Sequence, residues 1–409
     1  MTTLFPLVMI LTLAQAGEPA GAIDRPAASL EMLRQRLLHD STDGAFDEFS
    51  LFDAALVASG LTDEPRLLEH NVKFRRLLLD LTAECTDSSE RARAERVFQF
   101  MHARVLTGPY DAKCSNFQAT LDEGRFNCVT ATLLYQLLCE HVSLNPQIIA
   151  TPGHVFSSFE QPTIGDVQTT CVDWFRTPHP ARDAGSLSVR RRLSDVQLIG
   201  KIYYNEGVGL LETNQFSAAI HTLQVSLQLD SQDPAARDNL LAGWNNWALA
   251  ESDAGRLQRA AELVLEGLQF DPNYAPLLAN DLHIHQKQAL ALCDAGKFEQ
   301  ALEVLERCHA RRPDVQLFDM GRLAVVGVWS ESLLRDGHFD QAFRVLDQAE
   351  KEWSSGSRLD TYEENLVCRM VDSLRRTGRR DQAIQLTTLG LERQPGSERL
   401  QRQYRDLTQ

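Results

Sequence analysis

Apolar residues recur at three- and four-residue steps through much of the chain, which is the spacing that lines one face of an α-helix. Near the amino terminus this pattern predicts four helices, over residues 29–38, 49–60, 66–81 and 89–106. The helical pattern stops at a Gly-Pro pair, a combination that favours a turn. We therefore expect a helical segment that ends near residue 108.

The region that follows combines one helix with short strands. Asn127 is a favourable N-cap residue, and the sequence after it predicts a helix that begins at Cys128. A strand is predicted over residues 147–151, and a Pro-Gly turn then places His154 at the head of a second strand. A loop returns the chain as a further strand over residues 167–175.

The second half of the chain repeats itself with a constant period of 41 residues. Residues that tolerate a left-handed backbone at a helix end recur at this interval: Asn214, Gly255, Gly296, Gly337 and Gly378. An alanine follows each of them five residues later: Ala219, Ala260, Ala301, Ala342 and Ala383. A small residue follows twelve residues later: Ser226, Gly267, Cys308, Ala349 and Gly390. Small residues at two fixed points of one helix let neighbouring helices approach closely, so we expect stacked helix pairs.

This pattern closely resembles the tetratricopeptide repeat (TPR), and the match is best over residues 254–272 and 295–313. The period is longer than the usual 34 residues of that family. The resemblance implies about five repeats over residues 200–409, which stack into a superhelix with an extended concave surface. The implied partner is a protein or peptide bound in the groove of the repeats.

Charge and motifs restrict the functions that the chain can have. The net charge of −15 at pH 7 argues against sequence-independent nucleic-acid binding, because that function needs clustered basic residues. Neither a glycine-rich nucleotide loop nor a metal-ligand motif occurs, so we expect no cofactor and no metal. His283, His285 and His309 are interpreted as surface or packing residues rather than metal ligands.

The amino terminus has the pattern of an export signal. Residues 4–13 form an apolar run that is followed by Ala-Gln-Ala, typical of a signal core and its cleavage site. The run is shorter than the roughly 20 residues that span a bilayer. No Lys or Arg precedes it, so a cytosolic protein stays an alternative. We expect a signal peptide over residues 1–16, a flexible lead-in over residues 17–28, and a periplasmic or secreted protein without stable membrane insertion after cleavage.

A cysteine at a helix start that precedes a histidine on a strand is the order that Cys-His hydrolases require. The thiolate is the reactive form, and both the positive end of a helix dipole and a neighbouring imidazolium stabilise it. Cys128 is therefore the candidate nucleophile and His154 the candidate general base. The alternative for Cys128 is a structural thiol, which is the interpretation given to four further cysteines: Cys139, Cys293, Cys308 and Cys368.

This segment resembles the transglutaminase-like superfamily of papain-fold cysteine enzymes, and within it the bacterial SirB1-like branch, in which such a domain precedes TPRs. The resemblance covers roughly residues 45–185 and rests on the motifs GRFNC, PGHVF and QTT. It implies that Cys128 is the nucleophile and that His154 is its partner. The third residue of the family is usually an acid just before a threonine motif, and here that position holds Gln168.

The glutamine departs from the family pattern. Gln168 can orient an imidazole through its side-chain carbonyl, but it supplies no negative charge that would favour imidazolium. Asp166 and Asp173 lie close in sequence and are alternative acids. Asp166 keeps the strand parity of Gln168 and Asp173 does not. The sequence therefore leaves open whether the site is active.

These observations predict an α+β papain/transglutaminase-like domain followed by an all-α TPR-like superhelical solenoid. The first domain is expected over residues 29–199, with a helical part at residues 29–108 and the Cys/His core at residues 109–185. The expected function is hydrolysis or acyl transfer at amide bonds through a thioester, with the repeats binding a protein substrate or partner. The alternative is a non-catalytic interaction scaffold that retains a degenerate transglutaminase-like domain.

Overall fold

The computed structural model describes the chain in four stretches: residues 25–61, 63–176, 189–353 and 356–409. The predicted signal peptide lies outside the described residues, and so does most of the predicted lead-in. The chain divides into two compact units between Leu240 and Leu241. Of the helices in the described stretches, none combines the length and the apolar character that crossing a bilayer requires.

Four helices open the first unit, as predicted: α1 (Arg25–Asp40), α2 (Leu51–Ala58), α3 (Glu64–Glu84) and α4 (Glu90–Arg104). The side chains of Ser50, Asp63 and Ser89 accept hydrogen bonds from the first turns of α2, α3 and α4. Each bond satisfies a backbone N–H that has no partner within its helix. The starts of these helices are thus encoded locally.

Helix α6 (Cys128–His141) is the central element of the first unit and follows the short helix α5 (Phe117–Glu123). Eleven of its 14 residues are buried, and it contacts α3 and α4. The hydroxyl of the fully buried Tyr135 donates a hydrogen bond to the carbonyl of Ala94, at 3.0 Å. Because neighbouring elements pack on several sides of α6, the position of its first residue is fixed by the core.

A small antiparallel sheet packs on α6 through its second strand. Its strands are β1 (Gln147–Thr151), β2 (His154–Ser158), β3 (Asp166–Val167) and β4 (Arg191–Leu193), in the spatial order β3-β2-β1-β4. The β1–β2 hairpin pairs Thr151 with His154, as expected from a tight turn. Both strands lie where the sequence placed them.

The prediction of a long returning strand over residues 167–175 is wrong. β3 ends at Val167, and the chain then turns, with the N–H of Cys171 donating to the carbonyl of Gln168 at 2.9 Å. Thr169 is fully buried, and its hydroxyl lies 2.9 Å from that of Thr132. This bond holds the chain in a turn at the point where the sequence pattern favours an extended strand.

The first helical hairpin of the repeat region belongs to the first unit. It consists of α7 (Asp195–Glu212) and α8 (Phe216–Leu229), and α7 also packs against α2, α6 and β4. The fully buried carboxylate of Asp230 pairs with Arg191 at the start of β4. The hairpin is therefore joined to the sheet by an ion pair as well as by apolar packing.

The second unit is an array of helical hairpins. Its helices are α9 (Pro234–Asp253, which contains the division between the units), α10 (Leu257–Phe270), α11 (Ala275–Asp294), α12 (Phe298–Arg311), α13 (Gln316–Asp336), α14 (Phe339–Trp353), α15 (Gly356–Arg376), α16 (Arg380–Arg393) and α17 (Glu398–Thr408). From α10 onward each helix packs against the next. Short connections between packed neighbours make antiparallel pairs, so the unit is a TPR-like solenoid.

The predicted turns of the repeats are confirmed. The repeated glycines have φ between 71° and 83°, and Asn214, which takes the place of the first glycine, has φ of 58°. These left-handed residues separate the two helices of each pair, because few residues other than Gly and Asn adopt this conformation readily.

The predicted close approaches are confirmed as well. All five repeated alanines are fully buried. A Cβ atom at Gly267 would lie 2.5 Å from the side chain of Leu277 and 3.2 Å from that of Trp244. A side chain at position 267 would therefore displace Leu277 and press on Trp244, which agrees with a small residue at this helix crossing.

Candidate active site

The start of α6 is fixed by a buried cap. The side chain of Asn127 accepts hydrogen bonds from the N–H groups of Val129 and Thr130, and the hydroxyl of Thr130 accepts from the N–H of Asn127. Asn127 is only 1 % exposed, and its amide also donates to the hydroxyl of Ser115 at 2.7 Å. Cys128 is thus the first helical residue, where the positive end of the helix dipole favours a thiolate.

The turn ahead of this cap depends on two glycines in contact. Gly124 has φ of 70°, and the N–H of Gly108 donates to its carbonyl at 3.1 Å. A Cβ atom at Gly124 would lie 2.7 Å from the nitrogen of Gly108 and 2.9 Å from the carbonyl oxygen of Val105. The backbone therefore leaves no space for another residue at Gly124, and this close contact positions the segment that leads into α6.

His154 reaches the sulfur from the first position of β2. The ring of His154 and the backbone N–H of Val155 are close enough to the side chain of Cys128 to lower the pKa of its thiol. Both side chains are partly buried, not enclosed. The sulfur therefore has an imidazole and two backbone N–H groups, its own and that of Val155, as partners.

The second ring nitrogen of His154 meets the predicted third residue. Nε2 lies 2.5 Å from Oε1 of Gln168. Because an amide oxygen can only accept, this contact assigns a proton to Nε2 of His154. The three residues predicted from the sequence are thus brought together: His154 is hydrogen-bonded to Gln168 and interacts electrostatically with Cys128.

The electrostatics of this series favour charge separation. Burial by itself raises the pKa of the Cys128 thiol, but the hydrogen bonds from His154 and from the N–H of Val155 outweigh it, so the pKa is lowered overall. The pKa of His154 is raised, chiefly by its bond with Cys128 and also by Gln168, against the opposing effect of burial. A lowered thiol pKa beside a raised imidazole pKa increases the thiolate–imidazolium population.

Two further side chains, which the sequence pattern did not indicate, hold the loop that carries Gln168. The hydroxyl of Thr132 on α6 contacts both Thr169 and the carbonyl of Val155, at 2.9 and 3.3 Å. Nε2 of His102 on α4 lies 3.0 Å from the carbonyl oxygen of Thr169. Burial lowers the pKa of His102, so it acts as a neutral donor. α4, α6 and β2 therefore converge on the residue next to Gln168.

Asp166 takes a different place from the one considered for it as an alternative acid. Its carboxylate receives two hydrogen bonds of 2.9 Å from Arg190 and one of 2.7 Å from Ser158. The guanidinium of Arg190 lies over the ring of Phe156, whose centroid is 5.8 Å from that of His154. The acceptor at Nε2 of His154 is the side-chain amide of Gln168. Asp166 binds Arg190, which stacks on Phe156, and Phe156 in turn stacks on His154.

Other candidate residues fall outside this site. Cys139, Cys308 and Cys368 are buried, in agreement with the prediction, and Cys293 is partly buried. His283 is exposed, whereas His285 is buried and hydrogen-bonded within its own helix. In the stretches that the structure describes, no group of three or more potential ligands is arranged to hold a metal ion.

Comparison with known proteins gives only distant likenesses. No protein-family model matches the chain, and no curated protein matches it. Among solved structures, a thermophilic TPR protein of Thermus thermophilus is 20% identical, with 51% of this chain and 98% of that chain covered and a TM-score of 0.16. The pilF protein of Pseudomonas aeruginosa is 17% identical, with coverages of 50% and 95% and a TM-score of 0.18.

The TPR domain of P58(IPK) covers more of the chain. It is 13% identical, with 93% of each chain covered and a TM-score of 0.19. Scores this low carry no argument about fold or function. The description of the second unit as a TPR-like solenoid therefore rests on the helix pairs, the left-handed turns and the buried small residues reported above.

Proposed function

We propose that this chain is a transglutaminase-like cysteine enzyme that acts on amide bonds, and that its repeats bind the protein substrate or a protein partner. The sulfur of Cys128 attacks the amide carbonyl carbon, and the C–N bond breaks as His154 gives its proton to the departing amine. A thioester remains on Cys128. Water or an amine then attacks the thioester, gives its proton to His154 and releases the thiolate.

The observation that carries this proposal is the placement of His154 between Cys128, at the start of α6, and Gln168, which is hydrogen-bonded to the second side of the ring. Its parts match the needs of the reaction: a helix start for the thiolate, an imidazole for proton transfer, and an acceptor that fixes the ring. Hydrolysis and acyl transfer share the thioester and differ only in the group that attacks it. The resemblance of residues 45–185 to transglutaminase-like enzymes supports the same chemistry.

Two parts of the proposal concern the rest of the chain. Stacked helical repeats offer extended surfaces for peptides and proteins, which supports a recruiting role for the solenoid. The apolar run at residues 4–13 supports export to the periplasm or the medium. Export also agrees with a thiol enzyme that acts on proteins outside the cytosol.

The test is the reactivity of Cys128 in the full chain. We expect iodoacetamide near pH 6 to alkylate Cys128 ahead of the exposed Cys171, because most ordinary thiols are protonated at that pH. His154→Ala is expected to slow this labelling by about tenfold or more, since it removes the imidazolium. Labelling of Cys128 at the rate of Cys171, unchanged in the variant, contradicts the proposal.

A second measurement separates the two reactions. A glutamine-containing protein and a fluorescent primary amine are incubated with the full chain and with Cys128→Ala. Acyl transfer predicts covalent incorporation of the amine, whereas hydrolysis predicts conversion of the glutamine to glutamate, or a new amino terminus where a backbone amide is cut, without incorporation of the amine. Both products are expected to be absent in the variant.

The second candidate function is a non-catalytic interaction scaffold, and the neutral Gln168 is the observation that favours it. A glutamine lacks the charge by which an acid stabilises imidazolium, so the pair can persist as a structural hydrogen bond. This candidate predicts slow labelling of Cys128 together with intact protein binding by the repeats.

A further inference from the structure

The second unit contains a groove of about 470 Å³ that lies on α13, between α12 and α14. The first helices of consecutive hairpins, α11, α13 and α15, contact one another along the array, and α12 and α14 both pack on α13. The groove therefore lies beside the second helices of the hairpins. It is a different surface from the one that the first helices share.

The floor of this groove is apolar and aromatic. Val326, Trp329 and Leu333 line it from α13, at positions three and four residues apart that share one helix face. The ring of Trp329 stacks on that of Phe298, with centroids 6.0 Å apart and planes inclined by 12°. A half-buried tryptophan held in place by a second ring offers a large contact area with little side-chain freedom to lose on binding.

The rim of the groove is acidic. Glu299 and Glu306 line it from α12, seven residues apart and therefore about 10 Å apart along the helix axis. Neither forms an ion pair with another residue in the described stretches. Glu352 lines the groove from α14, and Arg344 is the single basic residue among the lining side chains. Three carboxylates face one guanidinium, so the groove favours a cation.

At one end of the groove an indole contacts a cation of the same chain. Trp353 lines this end, and the guanidinium of Arg322 lies 4.7 Å from its ring centroid. This distance is within the range of a cation–π interaction. The same combination of an indole with nearby carboxylates is thus present for a guanidinium or ammonium group from outside.

We infer that this groove, here called the α12–α14 groove, binds a basic amphipathic segment of a partner protein. Two Lys or Arg side chains of the segment pair with Glu299 and Glu306, and apolar side chains between them pack on Trp329. A helical segment with cations seven residues apart matches the spacing of the two carboxylates. The net charge of −15 brings such a partner toward the chain, whereas an acidic peptide or a nucleic acid is repelled.

The inference deepens the proposed recruiting role of the repeats but does not depend on the Cys128 site. Loss of thiol labelling and loss of peptide binding are separate measurements on the same full-length chain. If Cys128 is unreactive and the peptide binds, the proposed enzyme function is contradicted and the proposed groove is supported. If Cys128 is reactive and the peptide does not bind, the proposed groove is contradicted and the proposed enzyme function is supported.

The probe is a fluorescein-labelled synthetic helix of about 14 residues that has two arginines seven residues apart and leucines on the same face. Fluorescence anisotropy with the full chain is expected to show binding that weakens as salt is added. A probe with glutamates in place of the arginines is expected to bind at least about tenfold more weakly. Equal binding of the two probes overturns the inference.

Three variants, which change four exposed or half-buried residues, locate the site without disturbing the core. The double variant Glu299→Gln/Glu306→Gln is expected to raise the Kd of the basic probe by about fivefold to tenfold. Arg344→Gln is expected to lower the Kd, because it removes the one repulsive charge. The matched control is Glu303→Gln, on the exposed face of the same helix, with a change below about twofold. An equal effect of Glu303→Gln, or weaker binding in Arg344→Gln, contradicts the assignment.

Discussion

Each unit of the molecule contains a cysteine that raises the pKa of a neighbouring histidine, and the two pairs have different surroundings. Cys128 and His154 of the first unit are both partly exposed. Cys308 and His285 of the second unit are 1 % and 6 % exposed. Nδ1 of His285 lies 3.1 Å from the carboxylate of Asp281, which is itself fully buried. By residue type alone, the second set is the closer match to a Cys-His-Asp triad.

The position of each cysteine on its helix favours Cys128, and not Cys308, as the candidate nucleophile. Cys128 is the first residue of α6, at the positive end of the helix dipole. Cys308 lies in the last turn of α12, where the dipole opposes a thiolate, and it occupies the small position that the repeat pattern requires. In this comparison, exposure and position on the helix, rather than residue type, distinguish the candidate nucleophile from the buried cysteine of the repeats. The predictions that follow test the two pairs against each other.

The largest expected difference is in thiol accessibility. At neutral pH we expect iodoacetamide to alkylate Cys128 about a thousandfold faster than Cys308, because Cys308 reacts only when its helix pair opens. Mass mapping after short exposure to the reagent measures both rates in one sample. In concentrated urea the two rates should become equal. Comparable rates in the native protein would show that the solenoid opens readily.

The next effect is a pH dependence confined to the second unit. Burial lowers the pKa of His285, but Asp281 and Cys308 raise it more, to about 9. Because the pKa of His285 is higher in the folded state than its unfolded value of about 6.5, the charged form of His285 stabilises the folded state. This stabilisation is fully present below pH 6.5 and is lost as the pH rises toward 9. We expect a loss of about 3 kcal/mol over this range, measured by hydrogen exchange of α11 and α12 amides.

The control for this pH effect is His285→Gln, which should flatten the dependence in α11 and α12. Arg311 and Arg312 also face Asp281, at 3.6 and 3.4 Å. Stability of these helices that is constant between pH 6.5 and 9 in the unaltered chain would contradict the assigned ion pair.

A smaller effect is expected from the cap of α6. Asn127→Ala removes a buried acceptor from two N–H groups and should lower the stability of the first unit by about 2 kcal/mol. It should also slow the alkylation of Cys128, because the helix start loses its fixed geometry. The comparison variant is Ser194→Ala, which breaks an exposed capping box on α7. It should cost about 1 kcal/mol or less and leave the labelling of Cys128 unchanged.

The smallest effect concerns the charge of the third residue. Gln168→Glu places a carboxylate at Nε2 of His154, which raises the pKa of the imidazole and increases the thiolate–imidazolium fraction. Alkylation of Cys128 near pH 6 should rise by about threefold to tenfold. Asp166→Asn should change it by less than about twofold, because that carboxylate binds Arg190. A larger effect of Asp166→Asn would indicate that the carboxylate of Asp166 stabilises the imidazolium of His154.

Locally encoded features could be predicted from the sequence. Asn127 as the cap, the helix start at Cys128 and the strand that begins at His154 all depend on neighbouring residues, and the structure has them where expected. The left-handed turns of the repeats, among them the one at Asn214, follow from the same kind of local chemistry. Repetition then made the small buried positions visible, because each occurs five times.

Contacts between distant segments could not be predicted in this way. The turn after Gln168 depends on a hydroxyl pair between Thr132 and Thr169, which are 37 residues apart. The support from His102 comes from a helix still earlier in the chain, where its spacing looks like that of any amphipathic residue. The pairing of Asp166 with Arg190 likewise joins two segments whose relation appears only in the folded sheet.

The neutral side chain of Gln168 also changes two quantities in opposite directions: the fraction of molecules that carry the Cys128 thiolate, and the nucleophilicity of each thiolate. Without a negative charge beside His154, fewer molecules carry the thiolate at acidic pH. The intrinsic nucleophilicity of a thiolate falls as its pKa falls, with a slope of about 0.4–0.5, so each of those thiolates attacks faster than one beside an acid. Above the pKa of the Cys128 thiol nearly every molecule carries the thiolate, so the rate then depends on the nucleophilicity of the thiolate alone. For the proposed enzyme, the glutamine therefore predicts a pH–rate profile that lies further toward alkaline pH than that of Gln168→Glu.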